Sequence, residues 1–162
     1  MSYTDQYFID KSGGLHFLSA QDQENAVAQG LSLPDPDWMV ATADQVDAVQ
    51  NPPLSLQQKA AQLLTSGLTI TSVGTPSLNG TYAVDQLSQS DIIAIETGLN
   101  AGKGFPGGAT TFGYQDASGV AHEFSEASFT DLAAAVRDFV YAIRAVTAGS
   151  SSRLPTPTAS IA

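Results

Sequence analysis

The sequence predicts an α+β protein of two small lobes, in which short antiparallel hairpins and sheets carry helices packed on one face. Three observations predict this class. Short apolar runs are separated by turn residues such as Lys11-Ser12-Gly13-Gly14. Several helical patterns begin with Ser or Thr three residues before Asp or Gln, which is the spacing of a capping box. One long segment, residues 129–143, repeats its apolar residues with the period of a helix.

Composition limits the function classes. The chain has 162 residues, of which 43% are hydrophobic, enough for one good core or two small ones. It contains no Cys, which excludes disulfides and thiolate chemistry. Sixteen acidic against six basic residues give a net charge of −10, so we expect no nucleic-acid partner. No apolar run reaches about 20 residues and the first residues do not resemble a signal peptide, so we expect no membrane partner and synthesis in the cytosol.

The first lobe, residues 1–53, begins with a hairpin of residues 7–10 and 15–18. Ser19 and Asp22 open a helix that Gly30 ends. Residues 38–40 form a third short strand, and Thr42 with Gln45 opens a second helix that ends at residues 51–53.

A connecting helix follows at residues 54–67, opened by Ser55 and Gln58 and ended by Gly67. The second domain covers residues 68–148. Its first strand, residues 68–73, enters a loop in which Asn79-Gly80 supplies positive φ angles and leads to a strand at residues 81–85.

A helix then begins at Ser88 and Asp91, and its apolar stripe contains Ile92, Ile93 and Leu99. A hairpin that starts with residues 110–115 precedes the long closing helix. Four antiparallel strands with two helices on one face are therefore expected. Residues 149–162, rich in Ser, Thr and Pro, are expected to be extended or disordered.

Three phrases of the second domain carry a family resemblance. They run over residues 70–85 (ITSVGTPSLNGTYAVD), 114–122 (YQDASGVAH) and 129–140 (FTDLAAAVRDFV). Together they resemble a family of unknown-function domains encoded beside tail-fibre genes in phages and prophages. The first lobe is similar to the N-terminal part of small tail-fibre assembly proteins, although the chain lacks their longer Trp-rich C-terminal region.

One pattern occurs twice within the chain. Asp, Ser, Gly, His and Ser share one offset in residues 10–19 and 116–125, and both sets precede a helix. Because His16 and His122 are the two histidines of the chain, one interpretation is a duplicated ligand or metal site. The other is a tight Asp-x-Ser-Gly turn whose returning strand carries the histidine; a metal site needs three or four converging ligands, which favours the turn.

Other motifs have structural explanations. Residues 102–107 fit G-x-G-x-x-G, but they follow a helix and precede a strand, which is the reverse of a dinucleotide site. Asp35 and Asp37 beside Trp38 resemble the carboxylate pair of glycosidases, or form a rigid proline loop. Neither histidine has a motif that links it to a nucleophile. We therefore expect that the protein is not an enzyme and that it binds no metal and no cofactor.

The resemblance implies a phage tail protein that binds the tail fibre, as assembly factor, chaperone or fibre-tip accessory. The alternative is a structural baseplate or virion tail component. An enzyme acting on surface glycans through Asp35 and Asp37 is the third hypothesis. We expect the loop at residues 102–108 and the tail to bind the partner, with Phe105 as an exposed aromatic anchor. The predicted partner-binding residues are Gly102, Lys103, Gly104, Phe105, Pro106, Leu154 and Ile161.

Overall fold

The structure is a computed structural model that describes residues 3–162. The chain forms two compact units, the first ending at Pro53 and the second spanning Leu54–Ala162. Helices and short strands in small sheets make up both units, which confirms the predicted α+β class.

The first unit contains a three-stranded antiparallel sheet and two helices. The strands are β1 (Gln6–Ile9), β2 (Leu15–Leu18) and β3 (Met39–Val40), in the order β2-β1-β3. The helices are α1 (Ala20–Ala28) and α2 (Ala43–Gln50). Phe8 and Ala26 are buried, and the buried Gln23 side chain donates to the Thr4 carbonyl oxygen at 2.8 Å. The predicted hairpin and third strand are thus confirmed.

The second unit begins with α3 (Leu56–Ser66), β4 (Leu68–Ser72), a 3-10 turn at Pro76–Leu78 and β5 (Gly80–Tyr82). It continues with α4 (Gln86–Asn100), β6 (Phe112–Gln115), β7 (Ala121–Phe124), α5 (Glu126–Thr147) and β8 (Thr158–Ile161). The strands form a three-stranded sheet, β5-β4-β8, and a separate β6-β7 hairpin. The four predicted strands, β4 to β7, are present as two antiparallel pairs. The sequence did not predict β8, which adds a fifth strand, parallel to β4.

Local capping chemistry sets the helix starts. Ser19, Thr42 and Ser55 each form both hydrogen bonds of a capping box, as predicted. The expected start of α4 at Ser88 was wrong. Asp85 caps this helix instead, because its carboxylate accepts from the main-chain N–H groups of Leu87 and Ser88.

Two further expectations were wrong. Asn79 has φ −65° and Gly80 lies outside the positive-φ glycines, so the 3-10 turn rather than a left-handed pair closes this loop. The helix at residues 54–67 is not a separate connector. Its buried Ala60 belongs to the hydrophobic core of the second unit, so α3 is part of that unit.

The core of the second unit is built around α5 and an aromatic cluster. Phe129, at the start of α5, is fully buried and meets four rings edge-on. Its interplanar angles with them are 85–88° and its centroid distances 5.7–6.0 Å; the four rings belong to Phe105, Phe112, Tyr114 and Phe124. Edge-to-face packing of this kind adds to the free energy gained from burial alone.

The Ser/Thr/Pro-rich tail is not a disordered extension of this core. Residues 158–161 pair with β4, and the Ser72 hydroxyl donates to the Ala162 carbonyl oxygen at 2.9 Å. Ile161 is buried and Leu154 packs against the core. The expectation of a separate tail at residues 149–162 was therefore wrong. The four-residue strand β8 completes the sheet by pairing with β4, and local composition does not reveal this long-range pairing.

Candidate partner-binding surface

Phe105 does not have the surface position that was predicted for it. Its side chain is 2% exposed and stacks on Phe112, with 5.5 Å between ring centroids. The loop around it has positive φ angles at Gly102, Gly104 and Gly107, and the Phe105 ring belongs to the core. The expectation of an exposed aromatic anchor was wrong, because Phe112 and Phe129 cover the ring.

The other predicted binding residues fall into two groups. Leu154 and Ile161 pack into the core of their own unit, so the expectation that they dock on a neighbour loses its structural basis. Gly102, Lys103 and Pro106 are exposed and Gly104 is half-buried, so the main chain of the loop remains accessible.

The two Asp-Ser-Gly-His segments fold into the same turn. In the second unit, Asp116 Oδ1 accepts from the main-chain N–H and hydroxyl of Ser118 and from the N–H of Val120. Asp116 Oδ2 lies 3.2 Å from His122 Nε2. In the first unit, Asp10 makes the equivalent contacts with Ser12, Gly14 and His16. In the tight-turn interpretation each shared residue has a structural role. The Asp carboxylate accepts from Ser and contacts His, and the Gly that follows Ser has a positive φ angle.

These hydrogen bonds keep both carboxylates ionised. The hydrogen bond from His16 is the largest cause that holds the pKa of Asp10 well below its usual range. The Ser118 hydroxyl is the largest cause that lowers the pKa of Asp116 from 3.8 to about 2. Burial, together with the negative charge of Asp116, raises the pKa of the neighbouring Tyr82 to about 12.

The turn leaves little scope for catalysis or metal binding. His122 is buried, and its Nδ1 lies 2.6 Å from the Ser77 carbonyl oxygen while Nε2 faces Asp116. Both ring nitrogens are thus engaged with acceptors. The Ser118 hydroxyl donates to Asp116 and not to His122, and the lowered pKa of Asp116 makes this carboxylate a weak base for activating a hydroxyl. Among residues 3–162, no three His, Asp or Glu side chains converge on a metal position.

The carboxylate pair near Trp38 also has structural contacts. Asp35 Oδ1 accepts from the main-chain N–H of Asp37, which closes the loop. Asp37 pairs with Lys11 at 2.7 Å, and both side chains are largely exposed. Trp38 stacks on His16 with 3.9 Å between centroids, so the aromatic ring is occupied by a neighbour within its own unit.

A groove with a largely apolar lining lies between α4 and α5 in the second unit. It encloses about 330 Å³. Its floor is formed by Ile92, Val136 and Val140, which belong to the core. Ile93 and Tyr141 stand at its edges and are 64% and 65% exposed.

The rim of the groove is charged. Glu96 lies on the α4 side, and Arg137 and Arg144 lie on the α5 side. Arg137 and Arg144 are two of the six basic residues of the whole chain. Arg144 Nη2 bridges to Gln89 Oε1 at 3.4 Å, so one arginine links both helices. An apolar floor with a polar rim is the common composition of a protein interface.

Sequence reasoning missed this groove. It assigned Ile93 to the buried stripe of α4, whereas the inward stripe is formed by Ile92, Ile95 and Leu99. The sequence did contain a signal for it. The α4 segment has more apolar residues than one buried stripe of helical period can hold, and the two left over, Leu87 and Ile93, are exposed.

No helix within residues 3–162 is both long and apolar enough to cross a membrane. Comparisons of the chain with protein-family models, with curated proteins and with solved structures find no match. The resemblance to phage tail proteins therefore stays a prediction, and the groove between α4 and α5 is the surface from which a binding function can be argued.

Proposed function

We propose that this chain is a phage tail protein that binds the tail fibre, as an assembly factor or as an accessory at the fibre tip. The proposal is supported by the residues that resemble the tail-fibre-associated family. It is also supported by the structural use of both Asp-His pairs, which favours a binding protein over an enzyme. The observation that carries it is the α4–α5 groove, where Ile93 and Tyr141 expose apolar surface beside two arginines.

Exposing the large apolar side chains of Ile93 and Tyr141 to water is energetically unfavourable for an isolated domain. Large apolar side chains on a surface rimmed by polar groups typically mark an interaction site, since isolated domains gain little from displaying them. Tyrosine and arginine are also the residue types most enriched among energetically important interface positions. The groove thus replaces Phe105 as the proposed centre of fibre recognition. The exposed loop residues Gly102, Lys103, Gly104 and Pro106 remain a proposed secondary contact.

The test is co-expression with the fibre encoded by the neighbouring reading frame. We expect the wild-type chain to co-purify with the fibre, and Ile93→Ser combined with Tyr141→Ser to abolish co-purification. Val120→Ser is the matched control, because Val120 is also exposed, at 54%, but lies outside the groove. A wild-type chain that neither co-purifies with the fibre nor changes its yield would overturn the proposal.

The second candidate is a structural baseplate or tail component. It predicts that the chain is retained in purified virions at a fixed ratio to the tail proteins. An assembly factor is absent from the finished particle, so virion composition separates it from a baseplate component. An accessory at the fibre tip is also retained, but it would co-purify with the fibre and not with the baseplate proteins.

A further inference from the structure

The outer edge of β8 and the flank of α5 form a second groove of about 550 Å³. All four residues of β8 line one wall. The other wall is one face of α5, and it contains three small residues, Ala134, Ala135 and Ala142. This groove lies apart from the α4–α5 groove: none of the residues that line one of them lines the other.

The hydrogen-bond pattern of β8 shows which main-chain groups face this groove. Thr69 N–H donates to the Pro157 carbonyl and Val73 N–H donates to the Ile161 carbonyl. In a parallel ladder this places residues 157, 159 and 161 toward β4. The N–H and C=O groups of Thr158 and Ser160 therefore point away from β4. Within residues 3–162, β8 pairs with β4 alone, so these four groups have no strand partner.

We propose that this groove binds an extended peptide segment of a partner protein, which adds to β8 as a further strand and carries lysine or arginine. Addition of a strand to an exposed sheet edge gives affinity through main-chain hydrogen bonds and specificity through alternate side chains. The small alanines of α5 leave room for the apolar side chains of the segment, above a floor that includes Leu68 and Phe139.

Charge complementarity identifies the partner as basic. Asp131 and Asp138 lie in the groove, whose lining contains no Lys or Arg. Asp138 Oδ1 accepts from Arg137, and Oδ2 makes no hydrogen bond to the residues described. A second copy of this chain is the weaker occupant, because it would bring its own net charge of −10 against these carboxylates. The inference does not depend on the partner being a tail fibre.

The experiment uses the full chain and two synthetic peptides, one alternating Lys with Val and one alternating Glu with Val. We expect the Lys peptide to bind at least about tenfold more tightly than the Glu peptide at low salt. The combined change Asp131→Asn and Asp138→Asn should remove most of this difference. On binding, the amide resonances of Thr158 and Ser160 should shift and gain protection from hydrogen exchange.

Ser160→Pro removes one outward N–H without removing a bond to β4, because prolines are tolerated where an edge strand faces outward. We expect it to weaken binding about tenfold, whereas Ser160→Ala, which keeps the N–H, should bind like wild type. A Lys peptide methylated on the amides that would face β8 should bind as weakly to the wild-type chain. This measurement remains decisive if Ser160→Pro fails to fold.

Equal affinity for the Lys and Glu peptides would overturn the inference, as would unaltered binding of the methylated peptide. Self-association that shifts the Thr158 and Ser160 amides in the absence of peptide would overturn it in favour of a second copy. Peptide binding without fibre co-purification would sustain this inference and remove the proposed function. Fibre co-purification without peptide binding would sustain the proposed function and overturn this inference.

Discussion

His122 Nε2 lies 3.2 Å from Asp116 Oδ2, and the equivalent atoms of His16 and Asp10 lie 2.8 Å apart in the first unit. In each unit this contact ties a hairpin turn to the strand that returns from it. The pair in the second unit is the more buried, with 8% of the His122 side chain and 11% of the Asp116 side chain exposed. The same sequence pattern thus produces a half-buried and a buried version of one turn.

The first prediction concerns pH. The folded pKa of Asp116 is about 2 and its ordinary value is 3.8. A lowered pKa stabilises the folded state above pH 3.8, and this stabilisation is lost as the pH falls toward about 2. We expect the free energy of unfolding to fall between about pH 5 and about pH 2, and Asp116→Asn to reduce that dependence. Urea unfolding followed by circular dichroism measures it, with the exposed Asp91→Asn as the control. An unchanged pH dependence in Asp116→Asn would contradict the pKa assignment.

The second prediction concerns metals and hydrolysis. Because both ring nitrogens of His122 face acceptors of the protein, we expect no stoichiometric metal and no hydrolase activity. Metal analysis after dialysis and assays on carbohydrate substrates check this. One zinc ion per chain that disappears in His122→Ala would show that the turn is a ligand site after all.

The third prediction concerns Gly80. A Cβ atom at this position would lie 3.1 Å from Asp116 Oδ2 and 3.2 Å from His122 Nε2. Gly80→Ala should therefore push the pair apart and lower the free energy of unfolding by about 1–3 kcal/mol, as overpacking does. Gly98→Ala is the matched control, because its nearest neighbour would be 3.6 Å away and alanine favours the helix. Equal stability of the two variants would show that the turn yields easily.

The fourth prediction concerns α5. Phe139 is 5% exposed and belongs to the core. Phe139→Ala should cost about 3–5 kcal/mol of stability, which thermal and urea unfolding measure. Tyr141→Ala, on the exposed side of the same helix, should cost much less. Loss of self-association with little change in melting temperature would instead identify Phe139 as an interface residue.

The fifth prediction concerns the last strand. A chain that ends at Ala148 loses β8, the buried Ile161 and the contact of Leu154 with the core. We expect such a chain to lose the cooperative unfolding of the second unit, seen as weaker tyrosine signals in near-ultraviolet circular dichroism. A shortened chain with unchanged spectra and melting temperature would show that residues 149–162 do not stabilise the second unit.

The sequence by itself determined the features that depend on a few neighbouring residues. Ser19, Thr42 and Ser55 cap their helices with partners three residues away, and the Asp-x-Ser-Gly turns close with donors two to four residues away. The 3.6-residue period of α5 likewise identified its buried face. Such contacts are specified by residue type and spacing, so they can be read without knowledge of the rest of the fold.

Tertiary structure alone decided the features that depend on residues distant in the chain. β8 finds β4 about ninety positions earlier, so a Pro-rich segment that looks disordered becomes a strand. Phe105 looks exposed within its glycine loop until Phe112 and Phe129 cover it. Both proposed grooves depend on which flank of α5 its neighbours leave uncovered. Burial and strand pairing are properties of the assembled unit, because the partner surface does not exist until the chain has folded.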